Sequence, residues 1–185
     1  RILGEADAVW TDRPALWVGV MTADCLPVLL DAGERVMAVH AGWRGTALGI
    51  TSKVARLMQD SYGSMPSDIL SAIGPSIGCC CYEVDAAAAD TFRHHKDVQA
   101  FLHPGKRKGR WMLDLVEANR RQLLDCGLPE ANVEAARLCT VCHQKAFFSH
   151  RASGGVTGRQ INFMMMKSDP ACRAMLPEAV SERVH

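Results

Sequence analysis

The segment spanning residues 17–40 constrains the fold most strongly, because it holds three short apolar runs separated by breaks. Residues 17–21, 26–30 and 35–40 have the length and composition of buried β-strands. Asp31, Ala32, Gly33 and Glu34 separate the last two runs and are typical of a tight turn. The sequence therefore predicts a hairpin that returns residue 40 to the sheet edge where residue 25 lies.

Helical patterns alternate with strand patterns along the rest of the chain. Thr46 is predicted to cap a helix that runs to about Tyr62, with Gly63 at its end. Asp114 and Glu117 resemble a capping box for a helix over residues 114–126. We also expect a helix over about residues 84–94 and strands over residues 69–73, 133–138, 147–149 and 156–164. This order favours an α/β (α+β) fold with mixed sheets over a purely parallel sheet.

Composition narrows the class of protein. The chain has 185 residues, 48% of them hydrophobic, and a net charge of +1, which suits one globular domain and indicates neither nucleic acid nor a membrane surface as a partner. There is no apolar run of membrane-spanning length and no signal peptide. We therefore expect a cytoplasmic protein whose eight cysteines are free thiols. The sequence does not indicate an oligomeric state.

Cys25 and His40 are the first candidate site. A thiolate and an imidazole are common zinc ligands, and the predicted hairpin brings the two residues into one buried pocket. Two other interpretations remain open. Both residues could be structural, or His40 could activate Cys25 as a nucleophile. Asp24 could orient either arrangement or act as a general base, and Arg44 lies between two glycines that let the backbone approach a ligand.

Three further segments carry candidate groups. Residues 74–78, which include Ser76, form a Gly- and Pro-containing turn that is either structural or a phosphate contact. Arg151 and Arg159 lie in a cluster with glycines, and their guanidinium groups suit phosphate or carboxylate. Residues 103–110 are expected to form a basic surface loop. Residues 139–143 match the haem-attachment pattern C-x-x-C-H, but haem is disfavoured because its attachment requires an export signal, and a zinc ribbon is disfavoured because no second C-x-x-C is present.

Together these segments resemble the YfiH-like family, formerly labelled "polyphenol oxidase, laccase domain". The matching motifs are ADCLPVLL at 23–30, HAGWRG at 40–45, IGPSIG at 73–78, YEV at 82–84, DL at 114–115, AN at 118–119, CT at 139–140, FFSHR at 147–151 and GGVTGRQ at 154–160. They occur in the family order and cover about residues 5–163. The resemblance implies a four-layer α/β/β/α sandwich in a single catalytic domain over residues 1–166, with its N-terminal part missing and a tail over residues 167–185.

The resemblance also implies a zinc site and an activity. The family binds one zinc ion through an early His, the Cys of ADC and the His of HAGWRG, which correspond here to Cys25 and His40. The early His is expected upstream of residue 1, so we expect this chain to lack the third ligand. Members are reported to cleave purine nucleosides, including methylthioadenosine, with phosphate and to deaminate adenosine. This implies zinc as cofactor, and nucleosides and phosphate as partners. By residue type and position, Arg44, Ser76, Arg151 and Arg159 are candidate substrate or phosphate ligands.

Three alternatives accompany this hypothesis. The older label implies a copper-dependent polyphenol oxidoreductase, which fits poorly because the chain has no His-x-His pairs for a multicopper cluster. Loosely bound copper is still compatible with a Cys and His pair. The second alternative is a Cys–His amide hydrolase acting on cell-wall precursors, and the third is a non-enzymatic redox or binding module that uses the thiols at 79–81 and 139–142.

Overall fold

The computed structural model describes residues 6–167, so residues 168–185 of the expected tail lie outside the described part. The ten strands are β1 (Ala8–Thr11), β2 (Val18–Thr22), β3 (Leu26–Asp31), β4 (Val36–Ala41), β5 (Leu70–Ile73), β6 (Glu83–Asp85), β7 (Leu102–Pro104), β8 (Arg110–Leu113), β9 (Val133–Ala135) and β10 (Gln160–Met164). The helices are α1 (Trp43–Ala47), α2 (Ile50–Asp60), α3 (Ala86–Asp90) and α4 (Leu115–Asp125), with single 3₁₀ turns at Pro66–Asp68, Val98–Ala100 and Glu130–Asn132.

A five-stranded sheet in the order β1-β4-β3-β5-β9 forms the centre of the fold. The predicted hairpin is its core: β3 and β4 run antiparallel, with Leu26 opposite Ala41 and Pro27 opposite His40. Only β9 runs parallel to its neighbour β5. The sheet is therefore mixed, and the hairpin register places Cys25 and His40 at one edge.

Two smaller sheets complete the architecture. Strand β2 pairs with the late strand β10, with Thr22 opposite Gln160. This pairing brings the glycine-rich segment before β10 next to the start of β3. Strands β6, β8 and β7 form a three-stranded antiparallel sheet. The structure is thus the mixed α/β fold that was predicted, while the four-layer stacking and the domain limits stay predictions.

The core lies between the central sheet and two helices. Helices α2 and α4 pack on each other, with α2 against β4 and α4 against β9. Leu26, Val28 and Leu30 alternate along β3 and are fully buried, because they share the face of this strand that packs on the core. None of the described helices is long or apolar enough to cross a membrane.

The prediction that Thr46 caps one long helix is wrong. Gly42 precedes α1, and the chain breaks at Gly49, whose φ of 72° is left-handed, before α2 begins at Ile50. Thr46 is instead fully buried inside α1, where its hydroxyl accepts a hydrogen bond from Asn119. Gly49 allows the turn because a side chain is disfavoured in that conformation.

Other element predictions differ from the structure in part. The expected helix over 84–94 begins as strand β6, and only α3 is helical after Asp85 caps it. Residues 147–149 form no strand. The basic segment 103–110 lies in a hairpin made by β7 and β8, because Trp111 and Leu113 give β8 a partly apolar face. For the 114–126 helix the prediction is confirmed, since Asp114 accepts a hydrogen bond from the amide of Glu117 at 2.9 Å.

Candidate active site

Cys25 and His40 meet at the edge of the central sheet. A Cβ built on Gly42 would lie 3.4 Å from Sγ of Cys25 and 3.7 Å from Cε1 of His40, so this glycine leaves room for both side chains. They line one cleft. The cleft is half-open rather than buried as expected, since 32% of the His40 side chain is exposed. Both groups are therefore accessible to a ligand from solvent.

Asp7 orients His40. Its Oδ1 lies 2.9 Å from Nδ1 of His40, which leaves Nε2 as the nitrogen available for a ligand or for Cys25. The hydrogen bond with Cys25 raises the pKa of His40 to about 9, against the opposing effect of burial and with a smaller contribution from Asp7. A carboxylate on the far nitrogen of a metal-ligating histidine is a recurrent arrangement. The donor set therefore fits two ligands of a divalent metal ion, although the described residues supply no third donor beside them.

Asp24 is buried beside this pair in an unusual backbone conformation. Its φ is 88°, and a non-glycine residue is rarely held there without compensating contacts. Oδ1 accepts a hydrogen bond from the hydroxyl of Thr140 at 2.6 Å, and Oδ2 accepts one from the backbone amide of Arg151 at 2.7 Å. Both carboxylate oxygens thus have donors. This favours the orienting role over the general-base role for Asp24.

The cleft has an apolar and a charged side. Its volume is about 320 Å³, at the lower end of the range of about 300–1,000 Å³ for small-molecule sites. It is lined by Met21, Thr22, Ala23, Asp24, Cys25, His40, Ile77, Tyr82, Leu115, His150, Arg151 and Arg159. Burial, followed by the charge of Cys25, raises the pKa of Tyr82 to about 12, so its phenol stays neutral. An apolar planar group and an anion could both be accommodated.

The structure brings two of the four predicted anion ligands into the cleft. Arg151 lies over the ring of Tyr82, 5.3 Å from its centroid, and Arg159 donates to the carbonyls of Thr157 and Gly158. Arg44 does not line the cleft and instead lies over its neighbour Trp43.

Ser76 is 1% exposed and also lies outside the cleft lining. The amides of the surrounding turn are already used. Those of Gly74, Ser76 and Ile77 donate to the carbonyls of Pro27, Leu138 and Asp24. This bonding favours the structural interpretation of residues 74–78, since amides engaged with the backbone cannot cradle a phosphate.

Three contributing residues were not among the predicted site residues. Asp7 precedes the first of the family motifs, whereas Tyr82 and Thr140 lie in the motifs YEV and CT. Their place in these motifs was the feature of the sequence that could have identified Tyr82 and Thr140 as site residues. Their roles depend on contacts across more than 30 residues, which spacing along the chain does not reveal.

The chain matches the family model described as "Multi-copper polyphenol oxidoreductase laccase" over residues 2–167. The chain belongs to the YfiH-like, or laccase-like, family. It is 41% identical over 162 residues to the purine nucleoside phosphorylase YlmD of Geobacillus stearothermophilus, covering 85% of this chain and 59% of that protein. Similarity extends to the adenosine deaminase RL5 of an unknown prokaryotic organism, at 36% identity over 83% of this chain and 59% of that one.

A solved structure supports the same relationship. The hypothetical protein YfiH of Bacillus licheniformis superposes with a TM-score of 0.83 at 39% identity, covering 87% of this chain and 61% of that one. The chain therefore spans about three-fifths of the length of these relatives. Two of these relatives are named as enzymes, a phosphorylase and a deaminase.

Proposed function

We propose that this chain is the greater part of a zinc-dependent purine nucleoside phosphorylase that also deaminates adenosine and cleaves methylthioadenosine. The observation that carries the proposal is the meeting of Cys25, His40 and two arginines in one cleft with an apolar wall. The names of the relatives add support, because they include a purine nucleoside phosphorylase and an adenosine deaminase.

Cys25 and His40 would hold the metal ion, with a third ligand from outside the described residues. A zinc ion there supplies Lewis acidity, which increases the acidity of bound water at neutral pH. Asp7 keeps Nε2 of His40 available by binding Nδ1. As a metal ligand the Cys25 sulfur would be a thiolate, whose negative charge the metal ion would offset.

The remaining cleft residues would bind the substrates. Met21, which is exposed, and the ring of Tyr82 line the cleft and would offer an apolar surface for a purine. Arg151 and Arg159 would bind phosphate, since guanidinium groups match its geometry and charge. Arg44 and Ser76 are left out as ligands, because neither side chain lines the cleft.

The test uses the full-length, zinc-loaded protein incubated with adenosine and phosphate. We expect adenine with ribose-1-phosphate from phosphorolysis and inosine or hypoxanthine from deamination, and the corresponding base from methylthioadenosine. Cys25→Ser and His40→Ala should abolish turnover, while Cys79→Ser should retain it because Cys79 is exposed and lies outside the cleft lining. Absence of every product from the zinc-loaded native enzyme would exclude the proposed activity.

One observation favours a second candidate, a Cys–His amide hydrolase. Cys25, His40 and Asp7 are arranged in space as a nucleophile, a base and an orienting carboxylate, and such an arrangement needs no metal. A hydrolase of this kind would keep its activity in the presence of a chelator and lose it when Cys25 is alkylated. The proposed phosphorylase would lose activity in the chelator and recover it when zinc is restored.

A further inference from the structure

A second group of sulfur atoms lies outside the cleft. The Sγ atoms of Cys80, Cys81, Cys139 and Cys142 all lie within 4.8 Å of one another. That of Cys142 is 3.7 Å from Cys80 and 3.6 Å from Cys81. Zinc–sulfur bonds of about 2.3 Å in a tetrahedron place the sulfurs about 3.8 Å apart. A disulfide would need about 2.05 Å, so the spacing corresponds to a metal centre.

Two turns supply these ligands in pairs. Cys80 and Cys81 lie in the turn between β5 and β6, and Cys139 and Cys142 lie after β9 with the two-residue spacing that is common in zinc sites. The adjacent pair therefore replaces the second C-x-x-C that the sequence lacks. Sequence reasoning missed this site because it searched for two identical motifs.

The surroundings of the cluster are arranged for thiolate ligands. The amide of Gly78 donates to Sγ of Cys139 at 3.3 Å, as expected for an outer hydrogen bond that stabilises a metal-bound sulfur. A Cβ on Gly78 would lie 3.1 Å from Cβ of Cys139 and 3.3 Å from Sγ of Cys80. Glycine at this position lets the two turns approach each other closely.

Access to the cluster is open on one side. Cys139 is 7% exposed, whereas Cys80 and Cys142 are exposed. A metal ion can therefore enter from solvent and be held against a buried sulfur. Four thiolates at this separation repel one another strongly unless a divalent cation lies between them.

We infer that Cys80, Cys81, Cys139 and Cys142 bind a structural zinc ion distinct from any metal at Cys25 and His40. Four soft sulfur ligands in tetrahedral arrangement select zinc over magnesium or calcium, and a site closed by four protein ligands has no open position for catalysis. The ion joins the turn after Gly78 to the turn after β9.

The position of this centre links it to the cleft. Thr140 lies between two of the ligands. Its hydroxyl donates a hydrogen bond to Asp24, and its backbone amide donates one to the carbonyl of Ser76 at 2.9 Å. By fixing this turn, the zinc ion holds the donor that orients Asp24. The centre is thus a positioning element for the candidate active site, although its existence does not depend on the proposed activity.

The test counts zinc in the full-length protein by elemental analysis, in a Cys25→Ser background that removes a ligand of the other proposed site. Cys142→Ser and Cys80→Ser should each lower the zinc content by about one ion per chain, as expected for loss of one ligand from a four-coordinate site. Cys79→Ser is the matched control, since this exposed thiol is adjacent to the cluster but not part of it, and it should retain the zinc.

Alkylation of the native protein gives a second readout that does not require a folded variant. With zinc bound, Cys80 and Cys142 should resist iodoacetamide, and a chelator should expose them, while Cys79 reacts in both states. Peptide mass spectrometry distinguishes the three thiols. Equal alkylation of Cys80 and Cys142 with and without zinc, or a disulfide within the cluster in place of zinc, would overturn the inference. Failure of nucleoside turnover would leave these readouts unchanged.

Discussion

The hydroxyl of Thr140 donates a hydrogen bond of 2.6 Å to Oδ1 of Asp24, although 116 positions separate the two residues. Asp24 directly precedes Cys25, and Thr140 directly follows Cys139. The candidate active site and the sulfur cluster therefore share one contact. A substitution that breaks this contact on the side of the sulfur cluster should therefore have a measurable effect on the candidate active site.

Replacing Thr140 tests this contact. Thr140→Val keeps the shape but removes the donor, leaving a buried carboxylate oxygen without a partner, which costs about 1–3 kcal/mol of unfolding free energy. We expect a lower kcat for adenosine with a smaller change in KM, because Asp24 would orient the neighbouring catalytic groups rather than bind the substrate. Thr140→Ser retains the hydroxyl and should restore most of kcat. Equal kinetics for the Val and Ser variants would contradict an orienting role for this contact.

Asp7 offers a test of the metal site through its outer contact. Asp7→Asn keeps the size of the side chain but removes the negative charge beside Nδ1 of His40. Outer-shell partners of this kind typically contribute about 10–100-fold to metal affinity, so zinc competition titrations in the full-length protein should show weakening in that range. Asp12→Asn, an exposed carboxylate after β1, is the control and should leave the affinity unchanged.

Asn119 connects α4 to both α1 and α2 inside the core and should contribute to stability rather than to activity. Its amide oxygen accepts from Thr51 at 2.6 Å, and its nitrogen donates to Thr46 at 2.9 Å and to the carbonyl of Leu115 at 2.8 Å. Asn119→Leu leaves several buried groups without partners, at about 1–3 kcal/mol each. Chemical denaturation should show this loss, whereas Lys53→Ala on the exposed side of α2 should change little. Unchanged stability of Asn119→Leu would show that the network is dispensable.

His95 predicts a pH dependence of stability. Burial, reinforced by the neighbouring His94, lowers its pKa below 6.5, and the Ala47 carbonyl and Asp125 only partly oppose this. The unfolded chain therefore binds this proton at a higher pH than the folded chain does. The contribution of neutral His95 to stability is present above pH 6.5 and is lost as the pH falls below that value.

The measurement is the thermal unfolding midpoint of the native protein and of His95→Gln between pH 7 and pH 5. We expect the native midpoint to fall more steeply, because glutamine does not titrate in this range. His103→Gln is the control, since this exposed histidine in β7 is not among the groups that act on His95. Parallel curves for the native protein and His95→Gln would contradict the predicted pKa direction.

The copper-dependent oxidoreductase that the older family label implies can be tested directly. Among the described residues, the cysteine cluster is the only group of three or more metal-ligand side chains brought together, so no histidine cluster there resembles a multicopper centre. We expect the copper-loaded full-length protein to lack oxidase activity on phenols, measured as oxygen consumption. Sustained oxygen consumption that Cys25→Ser abolishes would support the older family label instead.

Local pattern and motif determined much of this fold. The hairpin of β3 and β4, the cap at Asp114 and the position of Cys25 and His40 at one sheet edge were all predictable, because they depend on neighbours within about 20 residues and on strand and turn chemistry. The candidate arginines were identified from their charge and their neighbouring glycines. These features depend on interactions between residues that are close in the chain, so they can be inferred from the sequence.

Only the tertiary structure revealed the rest. Thr46 resembled a helix cap, yet Asn119 holds it buried in the core, and the Gly49 break separates its helix from the next. The association of Asp7 with His40, of Thr140 with Asp24 and of Cys80 with Cys142 joins residues that are 33, 116 and 62 positions apart. Such pairs depend on strand order and on how loops meet at a sheet edge. Their energy comes from packing the whole chain, so no single segment of sequence contains them.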